Sequence, residues 1–219
     1  MDFSIVIPVK NESLNLPGLV DDIQLACKPL GKSFEVVFID DGSTDSTYEV
    51  IKDLAKRYDF IRALQFDRNY GKTAALEAGF EKAQGEVIII MDGDRQNDPC
   101  DIPKFLEQIP PYDIVCGYRQ KRLDSWFRLA QSRFANKLRN SITKDGVRDS
   151  GCGYQAFRKE CLKKIKLHTG MHRFLPCLFQ MQGFKFSQIP VKHHPRSAGV
   201  SNYPFFSRTL GPLNDLFAV

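Results

Sequence analysis

Val87-Ile88-Ile89-Ile90-Met91-Asp92-Gly93-Asp94 is the stretch whose reading decides the fold. Its first five residues form the most apolar run in the chain, and a short β-branched run of this kind reads as a buried strand. Two carboxylates one residue apart at the strand's carboxyl end are costly unless a cation meets them. Gln96 stands at the next alternate position, giving Asp92-x-Asp94-x-Gln96. That all-oxygen set suits Mg²⁺ or Mn²⁺ carrying a diphosphate. An Asp-Gly-Asp triplet also fits a solvated turn, and the triplet alone does not separate the two.

Outward from this strand, apolar and polar stretches alternate with a regular rhythm. Phe3–Val9 reads as a strand. Residues 14–27 carry helical spacing at Leu16, Leu19, Val20, Ile23 and Ala26. A second strand is predicted over 34–39, and Ser46 with Glu49 forms a capping box for a helix reaching about Tyr58. A third strand follows over 61–66, a helix over 73–83, the fourth strand over 87–91 and a fifth over 113–116. This order predicts an α/β fold, a Rossmann-like, doubly wound, mostly parallel sheet with helices on both faces. Ligands in such sheets bind outside the carboxyl ends of the strands. The polar clusters fall there: Lys10-Asn11-Glu12, Asp40-Asp41-Gly42-Ser43, Arg68-Asn69-Tyr70-Gly71-Lys72 and Asp92-Gly93-Asp94.

After Tyr118 the character changes. Residues 124–142 form an amphipathic pattern with Trp126, Phe127, Ala130, Phe134, Leu138 and Ile142 on one side and Arg128, Arg133, Lys137 and Arg139 elsewhere. Such a helix covers a core or, being basic and aromatic, lies at a membrane interface. A late strand is predicted over 183–194, then a basic loop over 193–199 and an aromatic tail.

The chain has 219 residues and a formal net charge of +5, which fits an anionic substrate or a membrane surface and does not call for nucleic acid. Its six cysteines contain no C-x-x-C pair, so neither zinc nor a disulfide framework is expected and a reducing cytoplasm is the simplest setting. The first residues lack the pattern of a signal peptide, and no run approaches the ~18 apolar residues of a membrane span. Gly71-Lys72-Thr73 is not a P-loop end, because position 66 is Phe where the motif needs glycine. Gly151-Cys152-Gly153-Tyr154-Gln155-Ala156 matches a dinucleotide fingerprint but opens no βαβ unit.

Three segments together carry a resemblance: Ile5-Val6-Ile7-Pro8-Val9-Lys10-Asn11-Glu12, Ile39-Asp40-Asp41-Gly42-Ser43-Thr44-Asp45 and Asp92-Gly93-Asp94-Arg95-Gln96. Their order and spacing resemble family 2 glycosyltransferases of the GT-A fold. Asn69-Tyr70-Gly71-Lys72, Gly117-Tyr118-Arg119, Asp149-Ser150-Gly151 and His194-Pro195-Arg196-Ser197-Ala198-Gly199-Val200-Ser201-Asn202-Tyr203 narrow it to the dolichyl-phosphate mannose synthase and polyprenyl-phosphate glycosyltransferase branch. The resemblance implies one GT-A domain over 1–203, with a nucleotide-sugar and metal part (1–118) and an acceptor part (119–203), followed by a tail over 204–219.

It also implies roles. Pro8, Asn11 and Glu12 line the nucleotide pocket and Asp41 contacts the base. Asp92, Asp94 and Gln96 hold Mg²⁺ or Mn²⁺, with Asp94 essential to catalysis. Arg119 and Arg196 face phosphates, and Ser201 belongs to the loop that closes over the donor; Lys72, at a helix start, reads either as a solvated lysine or as a phosphate contact. Relatives often carry a hydrophobic residue where Arg95 stands.

The reaction expected from the resemblance is inverting, metal-dependent transfer from a UDP- or GDP-sugar to a polyprenyl phosphate at the cytoplasmic face of a membrane. Contact with the membrane would be peripheral or through a membrane-protein partner. A phosphate monoester, whose second pKa is about 6, is ionised at neutral pH and attacks without a base. Arginines therefore suffice to place it: Arg119, Arg122, Arg128 or Arg133. Two alternatives stand beside this reading. A non-lipid glycan acceptor would need a base, with Asp149 the first candidate, and a non-catalytic subunit would bind nucleotide sugar without transfer.

Overall fold

The computed structural model describes residues 1–119, 146–165, 167–168 and 170–195. The amphipathic segment 124–142, Arg122, Arg128, Arg133, Arg196, Ser201 and the tail lie outside the described residues. Within them, β1 (Phe3–Val9), β2 (Phe34–Asp40), β3 (Ile61–Gln65) and β4 (Val87–Ile90) alternate with α1 (Leu16–Cys27), α2 (Thr47–Arg57) and α3 (Lys72–Lys82). The short helix α4 (Ile102–Glu107) then leads to β5 (Ile114–Arg119). After the undescribed segment come β6 (Gln155–Arg158), α5 (Leu175–Met181) and β7 (Phe186–Val191).

The described strands make a seven-stranded sheet in the order β3-β2-β1-β4-β6-β5-β7. β1 pairs in parallel with β2 and β4, β2 with β3, and β5 with β7. β6 alone among them runs antiparallel, between β4 and β5. The predicted, mostly parallel sheet is therefore present, with one reversed strand that periodicity did not predict.

Side chains alternate across the sheet, as its pleat requires. Ile5, Ile7 and Ile89 pack with Leu16, Leu19, Ile23, Ile51 and Phe105 beneath α1, α2 and α4. Val6, Ile88 and Ile90 face the other way, onto Leu76, Phe80, Phe157 and Phe179. Central strands buried on both faces explain the unbroken apolar run at 87–91.

Two local expectations are corrected. Ser46 makes no side-chain cap to α2. The acid one residue earlier takes that role: Asp45 Oδ1 accepts from the Thr47 N–H at 3.0 Å. The helix predicted from residue 14 begins at Leu16, with Pro17 in its first turn, where a missing N–H costs nothing, and leaves Leu14 exposed.

Candidate active site

The carboxyl ends of β1 to β5 and β7 all open on one edge of the sheet, and the loop entering β6 reaches the same edge through the Ile90–Gln155 pairing. Asp92 and Asp94 sit there. Gly93 separates them because a Cβ at that position would lie 2.6 Å from Val9 Cγ1, so only glycine lets the turn lie against β1. The turn is fixed by its own hydrogen bonds. Asp92 N–H donates to Asn97 Oδ1 at 3.0 Å, and Gln96 N–H donates to Asp94 Oδ1 at 3.1 Å. Arg95 takes a left-handed backbone, φ 60°, and its guanidinium reaches Asp22 of α1 at 2.7 Å. It ties the carboxylate turn to α1 through charge.

Asp92 carries a cation already: Lys72 Nζ, from the first residue of α3, hydrogen-bonds Oδ1. Burial opposes the charge on Asp92. The Lys72 ammonium, which also hydrogen-bonds it, overrides burial, and the carboxyl stays below its usual range. Gln96 is tied to the end of β7. Its side-chain amide donates to the His194 carbonyl at 3.4 Å, and His194 N–H returns a bond to the Gln96 carbonyl at 2.9 Å. Among the described residues no group of three or more His, Cys, Asp and Glu forms a metal cluster. Asp92, Asp94 and Gln96 supply two carboxylates and an amide oxygen.

At the carboxyl ends of β1, β2 and β3 lies a cavity of about 700 Å³, lined by Lys10, Gly42, Ser43, Thr44, Gln65, Phe66, Asp67, Arg68 and Asn69. Pro8, Asn11, Glu12 and Asp41 are not among its lining residues. The last three instead hold the loops that form it. Asn11 Oδ1 accepts from Thr44 N–H at 2.8 Å, while Asn11 N–H donates to Ser43 Oγ at 2.9 Å. Glu12 N–H donates to Thr47 Oγ1 at 2.9 Å. Asp41 Oδ1 accepts from Tyr70 N–H at 2.7 Å, and both its oxygens accept from Gly71 N–H, at 3.1 and 3.0 Å. Burial raises the Asp41 pKa, against those two hydrogen bonds and Lys10, while Asp40 adds to the rise.

Arg119, at the carboxyl end of β5, is gripped by Asp149. Nε donates to Oδ2 at 2.7 Å and Nη2 to Oδ1 at 2.8 Å, a bidentate pair with side chains only 16% and 8% exposed. Asp149 is the base candidate for a non-lipid acceptor. The structure gives both its oxygens to Arg119. His172 was missed altogether: it lies in a 3-10 turn, Met171–Phe174, and its Nδ1 is 2.8 Å from Thr73 Oγ1. No sequence signal marks it, because the pairing spans 99 residues.

Comparison with known proteins places this geometry in context. The sequence model described as Glycosyl transferase family 2 matches residues 4–166. The chain is 37% identical over 215 residues to an undecaprenyl-phosphate 4-deoxy-4-formamido-L-arabinose transferase of Enterobacter sp. (strain 638), covering 97% of this chain and 65% of that protein. It is 35% identical over 225 residues to a dodecaprenyl-phosphate galacturonate synthase of Rhizobium johnstonii, covering 100% of this chain and 66% of that protein. The chain thus spans just under two thirds of the length of these curated relatives. Among solved structures, glucosyl-3-phosphoglycerate synthase from Mycobacterium tuberculosis, in complex with Mn²⁺, UDP and glucosyl-3-phosphoglycerate, superposes with a TM-score of 0.74 at 18% identity, covering 100% of this chain and 80% of that one. The fold is the GT-A fold of these glycosyltransferases.

Proposed function

The chain belongs to glycosyl transferase family 2, and we propose that it moves a sugar from a nucleoside-diphosphate donor to a polyprenyl phosphate. The observation that carries this reading is that relatives at 37% and 35% identity are named for different sugars but both for a polyprenyl phosphate. The donor is a UDP- or GDP-sugar. Residues 1–203 act as one domain at the cytoplasmic face of a membrane, with peripheral contact to the bilayer or to a membrane partner. Among the described residues no helix is long and apolar enough to cross a membrane.

Asp92, Asp94 and Gln96 would hold Mg²⁺ or Mn²⁺, whose charge, when bound, offsets that growing on the leaving diphosphate. The donor set fits: it is all oxygen, and Asp92 already sits against an ammonium. Lys72 orients the diphosphate. Asn11, Glu12 and Asp41 hold the loops around the 700 Å³ cavity that takes the nucleoside, with Pro8 beside them on β1. Arg196 is proposed to meet a donor phosphate and Ser201 to bind the donor, both lying outside the described residues. Arg119, its plane fixed by Asp149, faces the acceptor phosphate.

In the transfer, a phosphate oxygen attacks the anomeric carbon. The bond from that carbon to the diphosphate breaks, and the nucleoside diphosphate leaves with the electron pair. No proton has to move, so no base is required. This accords with the Asp149 carboxylate being committed to Arg119, since a carboxylate held by a guanidinium is a poor proton acceptor. The displacement is single and in line, with inversion at the sugar carbon.

The test is a screen of UDP- and GDP-sugars against a short polyprenyl phosphate, with and without Mn²⁺, with the product's anomeric configuration read by NMR. The expected product is inverted, and Asp94→Ala is expected to lower the rate about 10²–10³-fold. A retained configuration, or equal turnover by the variant, overturns the mechanism. Transfer only to non-lipid glycans overturns the acceptor.

A further inference from the structure

Thr73, the second residue of α3, is buried, and its hydroxyl is met by two groups from the far end of the chain. Gly170 N–H donates to Oγ1 at 3.0 Å, and His172 Nδ1 lies 2.8 Å from the same oxygen. The residue before Thr73 is Lys72, whose ammonium sits on Asp92. His172 is close enough to both for their charges to act on its ring.

We propose that His172 is a positioning residue: with Gly170 it clamps the Thr73 hydroxyl, fixes the first turn of α3, and so holds the Lys72 ammonium at Asp92, where the donor diphosphate is to be received. The second half of this inference rests on the donor site proposed above; the clamp does not.

The first four N–H groups of a helix have no intrahelical partner, so its first turn frays unless something outside holds it. The N-cap of α3 is Gly71, which has no side chain with which to cap. The Thr73 side chain instead anchors that first turn from outside, through its bonds to the 170–172 turn, without capping a helix N–H. The imidazole suits the place because it offers a hydrogen-bonding atom without adding charge beside Lys72. Burial, then Lys72 and Arg173, hold its pKa down to about 3, with Asp92 opposing, so the ring is neutral at neutral pH. Gly170 N–H occupies one lone pair of Oγ1. The assignment that uses every group has the Thr73 hydroxyl donating to Nδ1, with the ring proton on Nε2.

The experiment compares Thr73→Val, His172→Ala, His172→Asn, His172→Gln and the double variant T73V/H172A. Asn places an acceptor where Nδ1 stands; Gln does not. Hydrogen exchange at the Ala75 and Leu76 amides of the free protein reads the clamp. Calorimetry with UDP or GDP plus Mn²⁺ reads the donor site.

H172A is expected to speed exchange roughly 5–10-fold, as loss of one hydrogen bond does, T73V by more because it also loses the Gly170 bond, and the double variant no more than T73V. H172N is expected to stay near wild type, H172Q to follow H172A, and nucleotide affinity to fall in parallel with exchange. A core-filling role for His172 predicts instead that Gln is tolerated at least as well as Asn. Additive effects, or H172N behaving like H172A, overturn the clamp. A broken clamp with unchanged nucleotide affinity overturns its link to Lys72. Wild-type protein that binds neither nucleotide overturns the proposed function and leaves the clamp to be judged by exchange alone.

Discussion

At the scale of single residues, the site is built from charges that are each met by an opposite charge or a backbone dipole. Asp92 has Lys72, Asp149 has Arg119, Asp22 has Arg95, and Asp41 has two N–H groups. His172 differs: it is kept neutral by burial and by the cations beside it, with a pKa lowered from 6.5 to about 3. The consequence for stability has a definite sign. In the unfolded chain the ring takes up a proton near pH 6.5, while in the folded protein it stays neutral down to about pH 3. Between those values the unfolded state binds one more proton, so folding stability falls as pH falls, by up to about 1.4 kcal/mol per pH unit. Asp92, whose pKa is lowered below 3.8, adds a loss of the same sign at the acid end. Urea denaturation from pH 4 to 6.5 is therefore expected to show a shallower acid decline for His172→Asn than for wild type. Parallel curves would show that the ring does not titrate as its surroundings require.

At the scale of elements, α3 is the piece that couples core to site. It presents Lys72 and Thr73 at one end and packs on the sheet in its middle, through Gly79. A Cβ there would lie 2.5 Å from Val6 Cγ1 and 2.7 Å from Ile39 Cδ1. Gly79→Ala sets two effects against each other. Helix propensity favours alanine by about 1 kcal/mol, while overpacking a tight interface costs about 1–3 kcal/mol. Val6 is β-branched and central in the sheet, so it yields little. A net loss of up to about 2 kcal/mol by chemical denaturation is expected, and a stabilised variant would mean that the helix rides higher than its contacts indicate.

The same helix marks what could be read from sequence. α1, α2 and α3 and the four strands around them have the length and apolar period that betray an element, and they fall close to where periodicity puts them. α4 and α5 are only 6 and 7 residues long, too short for a 3.6 period to register. β6 is 4 residues, Gln155-Ala156-Phe157-Arg158, and its reversed direction follows from partners distant in sequence rather than from its own composition. Likewise the Asp92-x-Asp94 pair is local and legible, whereas Arg119–Asp149 and Thr73–His172 are pairings across 30 and 99 residues that only the fold brings about.

At the scale of the whole molecule, the order β3-β2-β1-β4-β6-β5-β7 interlocks strands from residues 1–119 with strands from residues 146–195. The change of character after Tyr118 is not a seam in the sheet. β5 precedes it, yet among the described strands β5 pairs with β6 and β7, which come after it. β4 likewise depends on β6 for its second partner. A fragment ending at residue 119 would leave β4 with a bare apolar edge, since Ile88, Ile89 and Ile90 lose their partners Phe157, Ala156 and Gln155, and would leave β5 with no strand to pair with. Exposed hydrophobic edges of this kind recruit other chains. The fragment is therefore expected to aggregate or to lack a cooperative unfolding transition, although it contains the Asp92 turn, Lys72 and the lining of the 700 Å³ cavity. A dispersed amide spectrum with protected amides over Ile114–Arg119 would contradict this, because it would require β5 to find a place in the sheet without β6. The carboxylate turn and Arg119 stand on opposite sides of β6 in the sheet order, so the reversed strand sets the separation between the proposed donor end and the proposed acceptor end.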